Sequence, residues 1–336
     1  MSIMQRLRGW IGGGFGRLRR AHLSVRLVLG GIVGLLILFF LVFLIEYRID
    51  DDPNLAPNPS FVVANGSNAV TMASTLMDLE INHTGWAPNR LWYHPIAYSA
   101  NMKNYQRGIQ YAVARWAVEM ADVLGRERGS GEADSDLGNA AGLFKYDPSA
   151  WIFPSAVTQY QKGIQSLNSY NRRLGAGQAK YDKIASNLAV FLDRISKDLG
   201  SQSASLELTV LSPEDYSPEE KQRLNDSERA ALSSNGGYFD SRATAAFYAT
   251  KGRLYAYYLL LKAIGEDYHD AIATKNATEH WDNMLVSLRS GASFSKFFIA
   301  NGQAGDYFIP SDLSTQGFHL LRADKQLQEL ADIMNK

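Results

Sequence analysis

The longest apolar run in the chain is Leu27–Ile45, nineteen consecutive residues that carry no charge. At 1.5 Å rise per residue, a helix of this length just crosses a hydrocarbon core of ~30 Å. We therefore predict a transmembrane anchor at residues 27–45.

The charges on either side of this run predict its orientation. Six arginines and no acidic residue precede it within residues 1–26, and Glu46 and Asp50–Asp52 follow it. This bias predicts a cytoplasmic basic tail and places the rest of the chain outside the cytoplasm. A cleavable signal peptide is the alternative, but Phe43–Ile45 offers no small-residue cleavage site. We favour an uncleaved anchor that crosses once.

Two glycines in the anchor, Gly30 and Gly34, have the spacing that lets membrane helices pack closely. A homodimer through this pair is one interpretation. The alternative is that the glycines have no dimer role, because glycine is common in membrane helices.

The apolar pattern changes after the anchor. Residues 46–68 are rich in proline, asparagine and serine, which predicts an extended tether. From residue 69 onward apolar residues recur at helical spacing, so we predict an all-α domain of about seven or eight helices over 69–336. Its last helices lie in 235–336. Around residues 206–210 the pattern fits either a short strand or an extension of the preceding helix.

Two segments of the helical region resemble each other. Trp92–Ala97 (WYHPIA) matches Trp151–Ala156 (WIFPSA), and Tyr105–Gln110 (YQRGIQ) matches Tyr160–Gln165 (YQKGIQ). This predicts a duplicated helical hairpin within 86–200, in which a Trp-Pro loop leads into a helix with an early glycine for close packing. Chance similarity of two amphipathic helices is the alternative.

Composition narrows the function classes. The chain has 34 basic and 34 acidic residues, so without the six tail arginines the remainder has 28 against 34, a net charge of −6. That balance argues against nucleic acid as a partner. The lack of cysteine excludes disulfides, thiolate metal sites and a cysteine nucleophile, and it fits an oxidising compartment.

Three short motifs resemble DUF2333, a family of bacterial membrane-anchored proteins of unknown function. They are the GWxPN segment from Gly85 to Asn89, the segment Trp151–Ala156, and the GGYFD segment from Gly236 to Asp240. The resemblance covers most of residues 45–336. It implies an inner-membrane protein of a Gram-negative bacterium with its domain in the periplasm, and it implies no activity.

Two E-x-x-H pairs raise the hypothesis of a di-iron or di-manganese site, because helical bundles use this motif to hold such ions. The pairs are Glu80 with His83 and Glu266 with His269. Both lie at predicted helix ends and Glu119 is the one further acid that suits, so we favour surface polar groups instead. We predict no metal site and no cofactor.

Other enzymatic signatures are weak. The sequence has no G-x-S-x-G nucleophile elbow. Glu80, Glu119 and Asp240 are conceivable acids for glycan cleavage, but no pattern selects a pair among them. A wall hydrolase or a metal-dependent enzyme remains the alternative function.

The best predicted binding surface surrounds the start of an aromatic helix, where aromatic side chains alternate with charges. Such a surface suits a carbohydrate, an anionic headgroup or a protein interface; packing in the core is the favoured alternative. Its candidate residues are Tyr238, Asp240, Arg242, Tyr248 and Lys251. Trp86, Trp92 and Trp151 are also candidates, but for these residues we favour a role as core plugs, that is, packing into the core at helix starts, over a role in binding.

We therefore predict a single-pass inner-membrane protein whose all-α periplasmic domain acts as a binding adaptor or structural component. The bilayer holds residues 27–45, and the further partner would be an envelope protein, a lipid or a wall polymer.

Overall fold

A computed structural model describes residues 23–46, 49–91, 94, 99–124, 133–210, 217–223, 225, 229, 241–294, 299–300 and 311–336. These residues contain eleven α-helices and no strand, which confirms the all-α prediction. The chain divides into two compact units, residues 1–48 and 49–336.

The first unit contains helix α1, Leu23–Glu46. Most of its described apolar side chains are exposed, with exposed fractions from 38% at Leu29 to 68% at Leu27, and Phe39 is half-buried. A Cβ atom added at Gly30 or Gly34 would meet no other atom within 4 Å. Among the residues that the structure describes, no helix combines the length and the apolar character needed to cross a membrane.

The second unit contains the other ten helices, with short π-helical segments at Leu79–His83 and Met120–Leu124. The helices are α2 Asn68–Asp78, α3 Ala100–Glu119, α4 Ser135–Phe144, α5 Ala156–Gly175, α6 Ala185–Val210, α7 Pro218–Arg223, α8 Ser241–Asp267, α9 His269–Thr274, α10 Thr278–Ala292 and α11 Asp312–Asn335.

The centre of the second unit is the crossing of α3 and α8, where two glycines replace side chains. A Cβ atom at Gly108 would overlap the carbonyl oxygen of Ala249, and one at Gly252 would overlap that of Tyr105. The two backbones therefore touch directly. Helix α2 packs on α8 and α5, α4 lies between α3 and α5, and α10 and α11 join α8 and α6 on the other side.

Polar side chains initiate several of these helices. Ser67, Ser99, Ser155 and Ser311 each accept a hydrogen bond from the backbone N–H three residues later, which satisfies an otherwise unpaired donor of the first turn. Pro218 is the first residue of α7, where its missing N–H costs no helical hydrogen bond. Serine caps therefore set the starts of both helices of the repeat, α3 and α5.

The helical spacing of apolar residues predicts the core: in α3 and α11, residues such as Ile109, Trp116 and Leu327 are buried. Helix α6 runs through Gly200 to Val210, and α8 runs through Gly265 to Asp267. At residues 206–210 the helical alternative is thus correct. Gly265 leaves room for a neighbouring side chain within α8, because a Cβ there would meet the Trp281 ring at 2.5 Å.

The predicted extended tether over 46–68 does not hold for residues 49–67, which lie on the helical unit. Ile49, Leu55 and Phe61 pack against its core. The amide N–H of Asn58 donates to Thr75 Oγ1 at 3.0 Å, and its side chain donates to a carboxylate of α2. Prolines and asparagines suit turns that follow a surface as well as they suit a free linker.

Candidate functional site

The two E-x-x-H pairs lie at opposite ends of helix α2. Glu80 follows its C-terminus, whereas Glu266 is adjacent to Asp267, which caps its N-terminus. An eleven-residue helix rises about 16 Å, so the pairs cannot share an ion. Glu266 is exposed, and His83 and His269 are 65% and 80% exposed. Nowhere in the described chain do three or more His, Cys, Asp or Glu side chains form a group that could hold a metal.

Asp267 is a buried carboxylate with a structural role that the sequence analysis missed. It accepts hydrogen bonds from Ser67 Oγ at 2.6 Å, from the N–H groups of Asn68 and Ala69 at 2.9 and 3.1 Å, and from Tyr181 at 3.2 Å. A negative charge at the positive end of α2 is electrostatically favourable. No local pattern could reveal this contact, since about 200 residues of sequence separate cap and helix.

Glu119, a second predicted acid, is also buried and structural. It forms ion pairs with Arg115 at 2.9 Å and with Arg194 at 2.7 Å, and only 1% of its side chain is exposed. Both oxygens of this carboxylate are engaged by guanidinium groups, so it is not free to coordinate a ligand. It fixes α6 on α3.

The predicted aromatic surface of α8 is mostly core. Tyr248, Tyr255, Tyr257 and Tyr258 are each less than 8% exposed. Lys251 is 1% exposed, and its Nζ donates to Asp51 Oδ2 at 2.6 Å and to the Phe294 carbonyl oxygen at 2.5 Å. Neither Tyr248 nor Lys251 presents an exposed binding surface.

The remaining candidates of that surface are only partly described. Arg242 is half-buried near the start of α8. Tyr238, Asp240 and Trp92 lie outside the described residues.

The start of the helical unit instead holds a partly buried polar cluster. The backbone carbonyl oxygens of Asp50 and Asp52 accept hydrogen bonds from Tyr105 at 2.8 Å and from Tyr255 at 2.9 Å. Together with the Asp51–Lys251 ion pair, these bonds hold the acidic triplet on α3 and α8. The triplet, which the sequence analysis used only for membrane orientation, therefore fixes the beginning of the domain.

Glu80 lies next to this cluster and is 1% exposed. Gln106 Nε2 donates to its Oε2 at 2.8 Å. Burial, helped by the charge of Asp50, raises the pKa of Glu80 from 4.5 to about 7, although the Gln106 bond acts in the opposite direction. Burial and nearby carboxylates also raise the pKa of Tyr105 well above 10. Glu80, Tyr105 and Lys251 are each at most 1% exposed, so these side chains fit a structural role better than substrate binding.

The two described tryptophans of the Trp-Pro loops behave in opposite ways. Trp86 is buried, donates from Nε1 to the Pro148 carbonyl oxygen at 2.9 Å, and meets the Tyr160 ring edge-on. Trp151, favoured as a core plug, is 56% exposed. That interpretation is therefore correct for Trp86 and wrong for Trp151.

Trp151 begins an exposed apolar loop, Trp151–Pro154. Ile152 is 60% exposed and Phe153 is fully exposed, so three large apolar side chains in sequence face solvent. Isolated exposed apolar residues are ordinary, but a contiguous group marks an interaction site.

The base of this loop is well ordered by hydrogen bonds. The N–H of Ala156 donates to the Ala150 carbonyl oxygen at 2.9 Å, and Asn89 Nδ2 donates to the same oxygen at 2.9 Å. Tyr146 donates to the Pro154 carbonyl oxygen at 3.1 Å. An apolar tip on a hydrogen-bonded base is preorganised for contact, because little conformational freedom remains to be lost on binding.

A small cleft of about 220 Å³ lies beside the loop. It is lined by Trp151 of this loop, by Ser155 directly after it and by residues of the loop that precedes α3. Its lining residues are Asn89, Arg90, Leu91, His94, Trp151 and Ser155. Described residues of both Trp-Pro loops therefore meet in this cleft. The cleft and the exposed loop Trp151–Pro154 together form the candidate functional site.

The family model for DUF2333, described as an uncharacterized protein conserved in bacteria, matches residues 57–336. The chain belongs to this family. The match covers nearly all of the helical unit and confirms the resemblance seen in the sequence motifs. No curated protein and no solved structure matches the chain.

Proposed function

We propose that this DUF2333 protein is a single-pass inner-membrane protein whose helical domain lies in the periplasm and acts as a binding adaptor. The uncharged run 27–45, which lies within helix α1, supports the anchor. The six arginines before it, against Arg48 shortly after it, support the orientation.

The exposed loop Trp151–Pro154 carries the proposal of a binding role. Burial of one Phe, Ile or Trp side chain contributes about 1.5–3 kcal/mol. Leaving three of them in water on an ordered loop is therefore a feature that function, and not stability, explains.

The enzymatic alternative has less support within the described residues. Glu80 and Glu119 are buried in structural contacts, and the E-x-x-H pairs are separated. A larger cleft of about 410 Å³ between α6 and α11 contains the acids Asp193 and Asp332, but neither is buried. Glycan cleavage needs two carboxyl groups that flank the scissile bond, and Asp193 is already paired with Lys197 at 2.6 Å.

Site-specific photocrosslinking in living cells tests the binding role. A benzoylphenylalanine at Phe153 should give a discrete adduct with a protein, lipid or wall fragment, because this side chain is the most exposed apolar group of the loop. The same substitution at Phe318, which is 60% exposed on α11, is the matched control and should give none.

The adduct should also disappear when Ile152→Ser is added to the Phe153 probe. If position 153 gives no more adduct than position 318 in correctly inserted protein, the binding role of the loop is wrong.

A further inference from the structure

The chemistry of the exposed loop matches a lipid interface. Trp is enriched where membranes meet water, and apolar side chains such as Ile and Phe enter the acyl boundary to a depth of about 5–10 Å. The loop Trp151–Pro154 contains no charged side chain. Its polar backbone base is paired within the protein, so insertion would not leave those groups without partners.

The size of the loop also favours lipid over a protein partner. Three aromatic or aliphatic side chains offer about 500 Å² of contact area. A stable protein interface needs about 800 Å² from each partner. A narrow apolar tip is therefore small for a protein interface but sufficient for insertion into a fluid layer.

Hydrogen bonds link the base of the loop to the first residues of the helical unit. Asp50 contacts Tyr105 on α3, and the neighbouring Gln106 accepts a hydrogen bond from the N–H of Ala87 at 2.7 Å. The segment around Ala87 holds the loop base through bonds from Trp86 and Asn89. A short chain of contacts thus connects the first residues of the unit to the exposed loop.

The connection to the predicted anchor is short. Two residues separate Glu46, the last residue of α1, from Ile49, the first residue of the helical unit. The proposed anchor would therefore keep the helical unit tethered to a bilayer.

Charges around the loop add a weaker attraction. Arg90 lines the adjoining cleft, and Arg90, Arg107 and Lys145 are exposed. One exposed acid, Asp147, lies among them. Basic side chains near a bilayer are attracted to anionic headgroups.

We propose that the loop Trp151–Pro154 inserts into the periplasmic leaflet of the membrane that holds the anchor, and so fixes the orientation of the helical domain on the bilayer. This inference rests on the proposed anchor and on the proposed binding role of the loop.

The absence of native cysteine allows a direct test with single-cysteine variants of the full chain. Ile152→Cys and Val286→Cys start from side chains that are 60% and 59% exposed. Each is labelled with an environment-sensitive fluorophore and placed in nanodiscs of phosphatidylethanolamine with a minority of phosphatidylglycerol. Some lipids carry a nitroxide quencher high on the acyl chain, and matched thermal unfolding of the two variants controls for folding.

We expect the label at position 152 to be quenched at least about three times as strongly as the label at position 286. Only the label at position 152 should lie within the half-bilayer of about 15 Å. Equal quenching would overturn the inference. A protein adduct at position 153 in cells together with equal quenching would leave the binding role intact and replace lipid by protein as the partner. Extraction of the chain by alkaline carbonate would overturn the anchor and this inference with it.

Discussion

Helices α3 and α5 carry nearly the same hexapeptide and use it differently. In α3, Gly108 touches the backbone of α8, and Gln106 and Gln110 are buried. In α5, Gly163 faces the ring of Phe144, whereas Gln161 is half-exposed and donates to Asn82 at the surface. Two copies of one local pattern thus lead to a central helix and a peripheral helix.

The difference teaches that the hexapeptide specifies a helix with one flat face, but not the partner of that face. Both glycines admit a close neighbour, as the sequence predicts. In α3 the neighbour is the backbone of a long buried helix, which leaves no room for adjustment. In α5 it is one side chain of α4, which can move.

The largest expected effect is that of Gly108→Ala. Its Cβ would overlap the Ala249 carbonyl oxygen, and two helix backbones can separate only by opening the core, so the free energy of unfolding should fall by more than about 3 kcal/mol. Gly163→Ala should cost about 1 kcal/mol, because helix propensity offsets part of the crowding against Phe144. Chemical unfolding in mild detergent measures both.

Gly142→Ala in α4 is the control for the glycine pair. No atom lies within 4 Å of the added Cβ, so a stabilisation of about 0.5–1 kcal/mol is expected from helix propensity. Similar losses for Gly108→Ala and Gly163→Ala would contradict the assignment of central and peripheral roles.

The next effect separates the two glutamines. Gln106 donates to Glu80 and to the Gly85 carbonyl oxygen at 2.9 Å, and it accepts from the N–H of Ala87. Gln106→Leu would leave these buried groups unpaired, at a cost of about 3 kcal/mol. Gln161→Leu, at the equivalent position of α5, should change stability by less than about 0.5 kcal/mol.

Thermal unfolding of the two leucine variants checks this prediction. Equal losses would show that the position in the hexapeptide, and not the burial of the side chain, determines the importance of the glutamine.

The smallest effect concerns Glu80, which accepts a hydrogen bond from Gln106 in α3. Gln161, at the equivalent position of α5, has no such buried acid as its partner among the described residues. The folded-state pKa of Glu80, about 7, lies above the ordinary 4.5, so the native state holds the proton more tightly than the unfolded state. The contribution of Glu80 to stability is therefore complete below pH 4.5 and is lost as the pH rises through 7. The upper bound of this loss is about 3 kcal/mol.

Glu80→Gln removes this titration and keeps an oxygen that can accept the Gln106 hydrogen bond. Relative to the wild type it should gain about 1–2 kcal/mol between pH 5 and pH 8, measured by unfolding at both values. A gain that is independent of pH would contradict the assignment of this titration to Glu80.

The candidate site was predictable only in part. Helical spacing identified the core stripes, and the Trp-Pro repeat identified the loop that the structure exposes. The sequence could not show that Trp86 is buried while Trp151 faces solvent, because both are aromatic residues near prolines at helix starts. The aromatic surface of α8 was indistinguishable from core for the same reason, since a helix packed on several sides has no polar face.

The sequence by itself determined the all-α class, the family, the uncharged run and the glycines that permit close helix contact, because these depend on local periodicity and composition. Only the tertiary structure decided how those features are used. It joins Asp267 to α2 and Lys251 to Asp51, residues that lie about 200 positions apart. It also leaves Ile152 and Phe153 without a covering element, since burial depends on what the rest of the chain places nearby.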